Sequence, residues 1–228
     1  MSKLNVVITS GGTREYIDDV RVLSNISSGR LGAKIANVFI DHGHHVTYVA
    51  PKNAIHPNTS DDSLADIIHV TDTKSVMEKM QDLVPSAHVV IQAMAVSDFT
   101  FELEGSVKLS SGDPEAFIEH MRKTIVKTPK IISHFRSWNP KAILVGFKFT
   151  VGKSKDELIE IGKKLMHDNE LDMVLANDKV QMQTRGDHVG ILLMHDWDAR
   201  LNNKTEIATS IYDNVIRLAP QKYPKNEE

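Results

Sequence analysis

The chain has 228 residues, with 27 basic and 30 acidic side chains, a formal net charge of −3 at pH 7 and no cysteine. The near balance of charge leaves no global electrostatic footprint for nucleic acid, and the missing cysteines exclude disulfides, thiol nucleophiles and thiolate metal sites. No apolar run reaches the ~20 residues of a membrane span, and MSKLNVVITS enters a strand with no signal-peptide pattern, so a cytoplasmic protein is expected.

The first strand is Val6-Val7-Ile8, stopped by Thr9-Ser10-Gly11-Gly12. The first helix is GRLGAKIANVFIDHG, with Leu31, Ile35, Val38 and Phe39 on one stripe and Gly43 as its stop. Between them runs a long polar loop, where an αβ connection usually needs only a few residues. A loop of that length at the carboxyl end of the first strand suits a binding surface. Ser27-Ser28-Gly29 stands at the helix start, with serine as the expected N-cap. Gly29 and Gly32 lie one turn apart, so the turn can be close to bare backbone, and free N–H groups and the dipole there favour phosphate. The same residues also fit an ordinary capped helix with a solvated loop.

A second strand is expected over His45–Ala50, ended by Pro51, followed by loop over 52–66 and a short outer strand at Ile67–Val70. A helix begins at Thr73, capped by Thr71 or Thr73, and ends before Pro85. His88–Val96 reads as a central apolar strand carrying Ser97-Asp98-Phe99 at its carboxyl end. Residues 100–126 break the βα rhythm and read as an excursion, a flap or arm. Thr128-Pro129 opens a helix, KIISHFRSW, closed by Asn139-Pro140. Ala142–Phe149 is a buried strand, 154–168 a helix with Leu158, Ile161 and Leu165 inward, and Met173–Asn177 the next strand. Two short strands about Asp196-Trp197-Asp198 suggest an antiparallel hairpin over about 186–203. An amphipathic helix from Thr205 to Leu218 follows, and PQKYPKNEE reads as a frayed tail. The alternation predicts an α/β fold: a Rossmann-like, mainly parallel sheet flanked by helices with right-handed crossovers. A flap follows the central strand, an antiparallel hairpin lies at the edge, and residues 1–228 form one domain.

The nicotinamide fingerprint G-x-G-x-x-G is missing, because the next glycine after Gly11-Gly12 is Gly29. Tyr48-x-x-x-Lys52 has the spacing of a short-chain dehydrogenase pair, but Tyr48 lies in a strand. His42, His44 and His45 are close in sequence, yet fit a polar turn better than a metal site, and no H-E-x-x-H is present. Asp98 can take a ribose hydroxyl, a base amino group or hydrated magnesium, or can form a turn into the flap. Lys108 can close over a triphosphate or stand as a surface charge. With Phe147-Lys148 and Asn177-Asp178, four strand ends present polar or aromatic groups on one edge, which argues for a nucleotide or phosphate site.

These segments carry a resemblance. ITSGGTREYIDDVRVLSNISSGRLG resembles the opening signature of the phosphopantothenate–cysteine ligases. AMAVSDF at 93–99, KLSS at 108–111, VKTPKII at 126–132, VGFK at 145–148 and LAND at 175–178 are similar to that family's later motifs, in order over nearly the whole chain. The similarity is to the stand-alone bacterial form, without the flavin domain. It implies a ligase of coenzyme A synthesis that joins 4'-phosphopantothenate to L-cysteine through an acyl-nucleotidylate. The resemblance further implies CTP, or alternatively ATP, as co-substrate, a requirement for Mg²⁺, no flavin, and a homodimer. The alternatives are a non-catalytic nucleotide-binding homologue or an NAD(P)-dependent reductase on the same fold.

By match to the motifs, the resemblance implies that Asn25 binds the pantothenoyl carbonyl and assists amide formation, with Arg30 also on the substrate. Ser27, Gly29 and Gly32 contact nucleotide phosphate at the helix start, and Gly12 is a further nucleotide-binding residue. Ala95, Asp98, Phe147, Lys148 and Asn177 line the nucleotide, and Lys108 closes over the reacting phosphates. The metal's ligands stay unassigned. The chain departs from the family at Ile26, Met94, Lys130 and Lys148, and Met94 and Lys148 are expected near the base pocket. The family's CTP-binding helix lysines match only loosely, around Lys163 and Lys164.

Overall fold

A computed structural model describes residues 3–58, 62–106, 108–110, 112–185 and 187–224, with Asp62 described by its backbone alone. Ser111 of the KLSS run, Gly186 at the hairpin's expected start, and tail residues 225–228 lie outside the described residues.

β1 (Asn5–Thr9) leads into a small antiparallel hairpin, β2 (Arg14–Tyr16) and β3 (Val22–Ser24), before α1 (Arg30–Asp41) and β4 (His45–Ala50). The long opening loop is therefore a folded hairpin and not a solvated connection. A one-turn 3-10 helix at Asp62–Leu64 precedes β5 (Ala65–His69), and α2 (Thr73–Leu83) follows. The cap of α2 is Asp72, which exchanges bonds with Ser75, and not either threonine expected from sequence. A carboxylate accepts the N3 amide at least as well as a hydroxyl.

β6 is Val89–Gln92, shorter than the expected 88–96. Beyond Gln92 the chain leaves the ladder, keeping one bridge between Ala95 and Gly12. The excursion is a second small hairpin, β7 (Phe99–Phe101) with β8 (Ile125–Lys127), enclosing α3 (Pro114–Thr124). Residues 128–138 do not form the single proline-led helix expected. Pro129 lies outside a 3-10 turn, Ile131–His134, which runs into the one-turn α4 (Phe135–Trp138). β9 (Ile143–Thr150), α5 (Lys155–Asp168), β10 (Met173–Asp178), α6 (Lys179–Arg185), β11 (Gly190–Leu193), β12 (Asp198–Leu201) and α7 (Lys204–Lys222) complete the chain.

Among the described residues, eight strands form one sheet in the order β12-β11-β10-β9-β6-β1-β4-β5. From β10 to β5 all neighbours are parallel, and β11 and β12 add an antiparallel hairpin at the edge, as expected from the sequence. Strand order reverses between β1 and β6, the switch point at which open α/β sheets bind ligands.

The parallel strands are buried on both faces, which is why they read as apolar runs. One face, through Ile8, Tyr48, Ile91, Val145 and Leu175, packs against α1 and α7. The other, through Val7, Val90, Leu144 and Val174, packs against α2, α5 and the 131–138 segment. α7 runs past Leu218 to Lys222, so the start of the expected frayed tail is docked. Lys222 pairs with Asp172 at 2.6 Å and the Tyr223 hydroxyl donates to the His88 carbonyl at 3.2 Å.

Candidate functional site

The site begins where β1 ends. Gly11 has φ 80°, which turns the chain beneath Pro51 and Ala54. Gly12 pairs with Ala95 across the switch point, and Thr13 N–H donates to the Ala95 carbonyl at 3.3 Å. A Cβ on Gly12 would sit 2.7 Å from the Asn25 carbonyl oxygen, so any larger residue here must displace that backbone. The Asn25 amide donates to the Val96 carbonyl at 3.3 Å, and Ser97 N–H donates to the Thr13 hydroxyl at 2.9 Å. Gly12, Asn25 and Ala95 are thus one patch, built from two distant segments across the reversal of the sheet.

α1 opens beside that patch. Its N-cap is Gly29, at φ 76°, and no side chain caps it. This corrects the expected serine cap: the left-handed turn carries the Ser27 and Ser28 hydroxyls away from capping geometry, and Ser28 Oγ reaches only the Arg30 N–H at 3.5 Å. The Ser10 hydroxyl donates to the Gly29 carbonyl at 3.0 Å, and Gly32 lies so close over Ser10 that a Cβ there would collide with it. The result is a helix amino terminus without a side-chain cap or a first-turn carboxylate. Its donors and positive dipole end remain available to an anion. Ser27 is half-buried and Arg30 exposed at this opening.

On β9 and β10 side chains alternate between the faces. Phe147 lies on the α1 side, packed on the core there, and Asn177 shares that face with Leu175. Lys148 falls on the opposite face, so the structure separates it from Phe147, contrary to the expectation that both line the nucleotide. Met94 also departs from expectation. It is 7% exposed and packs into the α2-side core, so it is not open to a base pocket. Asp98 is not at the carboxyl end of β6 but directly precedes β7. It lies six residues past Gln92, at the root of the flap, where it forms an ion pair with Lys130. The lysine that departs from the family pattern thus meets an aspartate that belongs to it. Lys108 is exposed on the flap, and Lys164 is paired to Asp168 at 2.8 Å on the outer face of α5.

The sequence reading missed several partners. His188 accepts or shares a hydrogen bond with the Asn177 amide at 3.0 Å. Burial, with Lys204 nearby, pushes its pKa down to about 4, so at neutral pH it is an uncharged acceptor. Phe149 sits beside Asn177 in the register, 54% exposed on the α1 side. Three buried polar side chains of the opening segment hold the site's frame. Thr13 accepts from Ser97. Glu15 accepts from the Thr73 N–H at 2.9 Å and hydroxyl at 2.7 Å. Asp18 binds the flap. Polar residues in a loop signature carry no periodicity to reveal such burial.

The rival chemistries fare differently. The Tyr48 hydroxyl is committed to the Ile55 carbonyl at 2.9 Å, and burial pushes its pKa up to about 12, unsuited to proton transfer with Lys52. His44 is buried and accepts the Leu4 N–H, while His42 stacks on Tyr212 and His45 meets Asp66. Among the described residues no group of three His, Cys, Asp or Glu side chains is placed to hold a metal ion. None of their helices is long and apolar enough to cross a membrane.

Comparisons with known proteins agree with one another. The profile of the DNA/pantothenate metabolism flavoprotein C-terminal domain matches residues 1–218. A coenzyme A biosynthesis bifunctional protein CoaBC from Thermococcus kodakarensis is 31% identical over 217 residues, 93% of this chain and 51% of that protein. The chain spans about half the length of the curated relatives it matches. The crystal structure of the DNA/pantothenate metabolism flavoprotein from Streptococcus pneumoniae superposes with a TM-score of 0.83 at 30% identity, covering 94% of this chain and 99% of that one. A Cab2 mutant in complex with phosphopantothenate-cysteine shares the fold, with a TM-score of 0.76 at 19% identity over 96% of this chain and 87% of its own.

Proposed function

The chain belongs to the DNA/pantothenate metabolism flavoprotein C-terminal domain family, and on that premise we propose that it is a phosphopantothenate–cysteine ligase of coenzyme A synthesis. A carboxylate oxygen of 4'-phosphopantothenate attacks the α-phosphorus of CTP, and pyrophosphate leaves. The amine of L-cysteine then attacks the acyl carbon, forming the amide, losing a proton and releasing CMP. The observation that carries this reading is the uncapped amino terminus of α1, opening beside Asn25 at the switch point.

Each residue has a part in that chemistry. The α1 terminus, with Gly12, Ser27, Gly29 and Gly32, holds phosphate through backbone donors. Asn25 holds the acyl carbonyl and supports amide formation, with Arg30 beside the substrate. Ala95, Asp98, Phe147 and Asn177 border the nucleotide, and Lys108 approaches the reacting phosphates from the flap. Asp98 is neutralised by Lys130, and no cluster of carboxylates and imidazoles forms a resident metal cage among the described residues. Magnesium in this reading arrives on the triphosphate, bound mostly by phosphate and water. The reading carries with it one ligase domain, a cytoplasmic location and a homodimer. For the dimer, the exposed apolar Val20, Leu23 and Ile26 of the opening hairpin region and Phe99, Ile118 and Ile125 of the flap offer a surface. A monomer at micromolar concentration in sedimentation would contradict the dimer.

The test separates the half-reactions. Asn25→Ala is expected to keep phosphopantothenate-dependent pyrophosphate release and to lose amide formation by at least about 100-fold. Equal loss of both, in a folded protein, would remove Asn25 from the second step. Comparing CTP with ATP in the same assay fixes the base.

A further inference from the structure

We infer that Asp18 is the positioning residue that holds the flap lysine, Lys108, in place; this rests on the ligase reading. Asp18 lies in the turn of the opening hairpin, and its side chain is wholly buried. A carboxylate leaves water at this cost only when donors replace the water. Here the Val20 and Arg21 N–H groups donate to one oxygen at 2.9 and 2.7 Å. The other oxygen takes the Arg21 guanidinium at 2.6 Å and the Leu109 N–H at 3.2 Å. The last donor is 91 residues away in sequence and is the amide next to Lys108.

The surrounding contacts join the same two pieces. Arg21 donates to the Leu109 carbonyl at 3.4 Å, so Leu109 is gripped on both sides of its backbone. The Ser106 hydroxyl donates to Asp19. His120 of α3 bonds the Ile17 carbonyl at 2.9 Å, and the Arg21 guanidinium lies 5.5 Å from the Phe117 ring centre. Burial alone would raise the Asp18 carboxyl, but the N–H groups of Val20, Leu109 and Arg21 and the Arg21 charge outweigh it and hold the group below the usual carboxylate range. It is therefore an anion at working pH, the form that grips an amide most firmly. A lysine on a long excursion needs such an anchor, because an angstrom of misplacement at a reacting phosphate costs rate.

The experiment is a double-mutant cycle on phosphopantothenate-dependent pyrophosphate release, with Asp18→Asn, Lys108→Gln and the pair, in the full chain. Asp18→Asn is expected to lower kcat about 10-fold while leaving the KM for nucleotide unchanged, and to have under about 2-fold effect once Lys108 is Gln. Multiplying effects would overturn the inference while leaving the ligase reading intact. Full activity of Lys108→Gln would overturn it by removing Lys108 from catalysis, whereas an inactive wild-type protein would sink the ligase reading itself. Should Asp18→Asn fail to fold, amide exchange in the wild type decides. Leu109 N–H exchanging well below its random-coil rate supports the anchor, and exchange at that rate overturns it.

Discussion

The central sheet and the arm beside it are built on opposite principles. In the sheet, β1, β6, β9 and β10 present side chains to two apolar faces, and Ile8, Ile91, Leu144 and Leu175 have no exposed surface. In the arm, formed by the β2–β3 and β7–β8 hairpins with α3, the strands are three residues long and α3 buries no residue at all. Beside the buried Ile17 and Phe101, what joins the arm's pieces is polar: Asp18, Arg21, Ser106 and His120. Hydrophobic burial is non-directional and cooperative, so the sheet supplies stability. Hydrogen-bonded docking is directional and individually small, so the arm can be placed accurately and released locally. In the proposed reaction the backbone that would hold phosphate belongs to the first part, and Lys108 belongs to the second.

Core truncation breaks that contrast most sharply. Ile91→Ala is expected to cost about 3–4 kcal/mol in denaturant unfolding, whereas Ile118→Ala, 50% exposed in the arm, should stay within about 0.5 kcal/mol. Comparable losses would mean that the arm shares the core. Acid tests the sheet edge next. The unfolded chain takes up a proton on His188 near pH 6.5 and the folded one only near pH 4. Stability is therefore full above 6.5 and lost as pH falls toward 4, by about 2–3 kcal/mol. Unfolding midpoints across that range should flatten in His188→Gln, and an unchanged slope would refute the assignment.

Gly12→Ala pushes a methyl group against the Asn25 carbonyl, and ligation should fall at least about 10-fold while stability drops by about 1–2 kcal/mol. The helix caps give the smallest contrast. Asp72→Ala, capping α2 against the core, should cost about 1 kcal/mol of global stability. Asp113→Ala, capping α3, should leave the global midpoint alone and speed amide exchange in α3 only. A midpoint shift with Asp113 as large as with Asp72 would make the two regions one cooperative unit.

That division also explains what could be read without coordinates. Buried parallel strands are apolar on both faces, so 45–50, 142–149 and 173–177 were legible to within a residue or two. The edge hairpin showed itself in its changed pattern. Three-residue strands have too few positions to display a period, so the β2–β3 and β7–β8 pairings were not. Family motifs pointed at Gly12, Asn25 and Ala95, which the fold does bring together. A motif names neighbours in sequence, whereas successive residues of a strand take opposite faces, and that separates Lys148 from Phe147 within β9. Nor could local sequence show that Lys130 would pair with Asp98, or His188 with Asn177. The first follows from the β7–β8 pairing and the second from the register of the β10–β11 hairpin.

Pyrophosphate release is the measurement on which the account rests. With Mg²⁺, CTP or ATP, and 4'-phosphopantothenate, the protein is expected to release pyrophosphate only when phosphopantothenate is present, and to yield the amide once L-cysteine is added. Pyrophosphate release independent of phosphopantothenate, or none with either nucleotide, would contradict acyl activation at the α1 terminus and leave a phosphate-binding fold without this ligase chemistry.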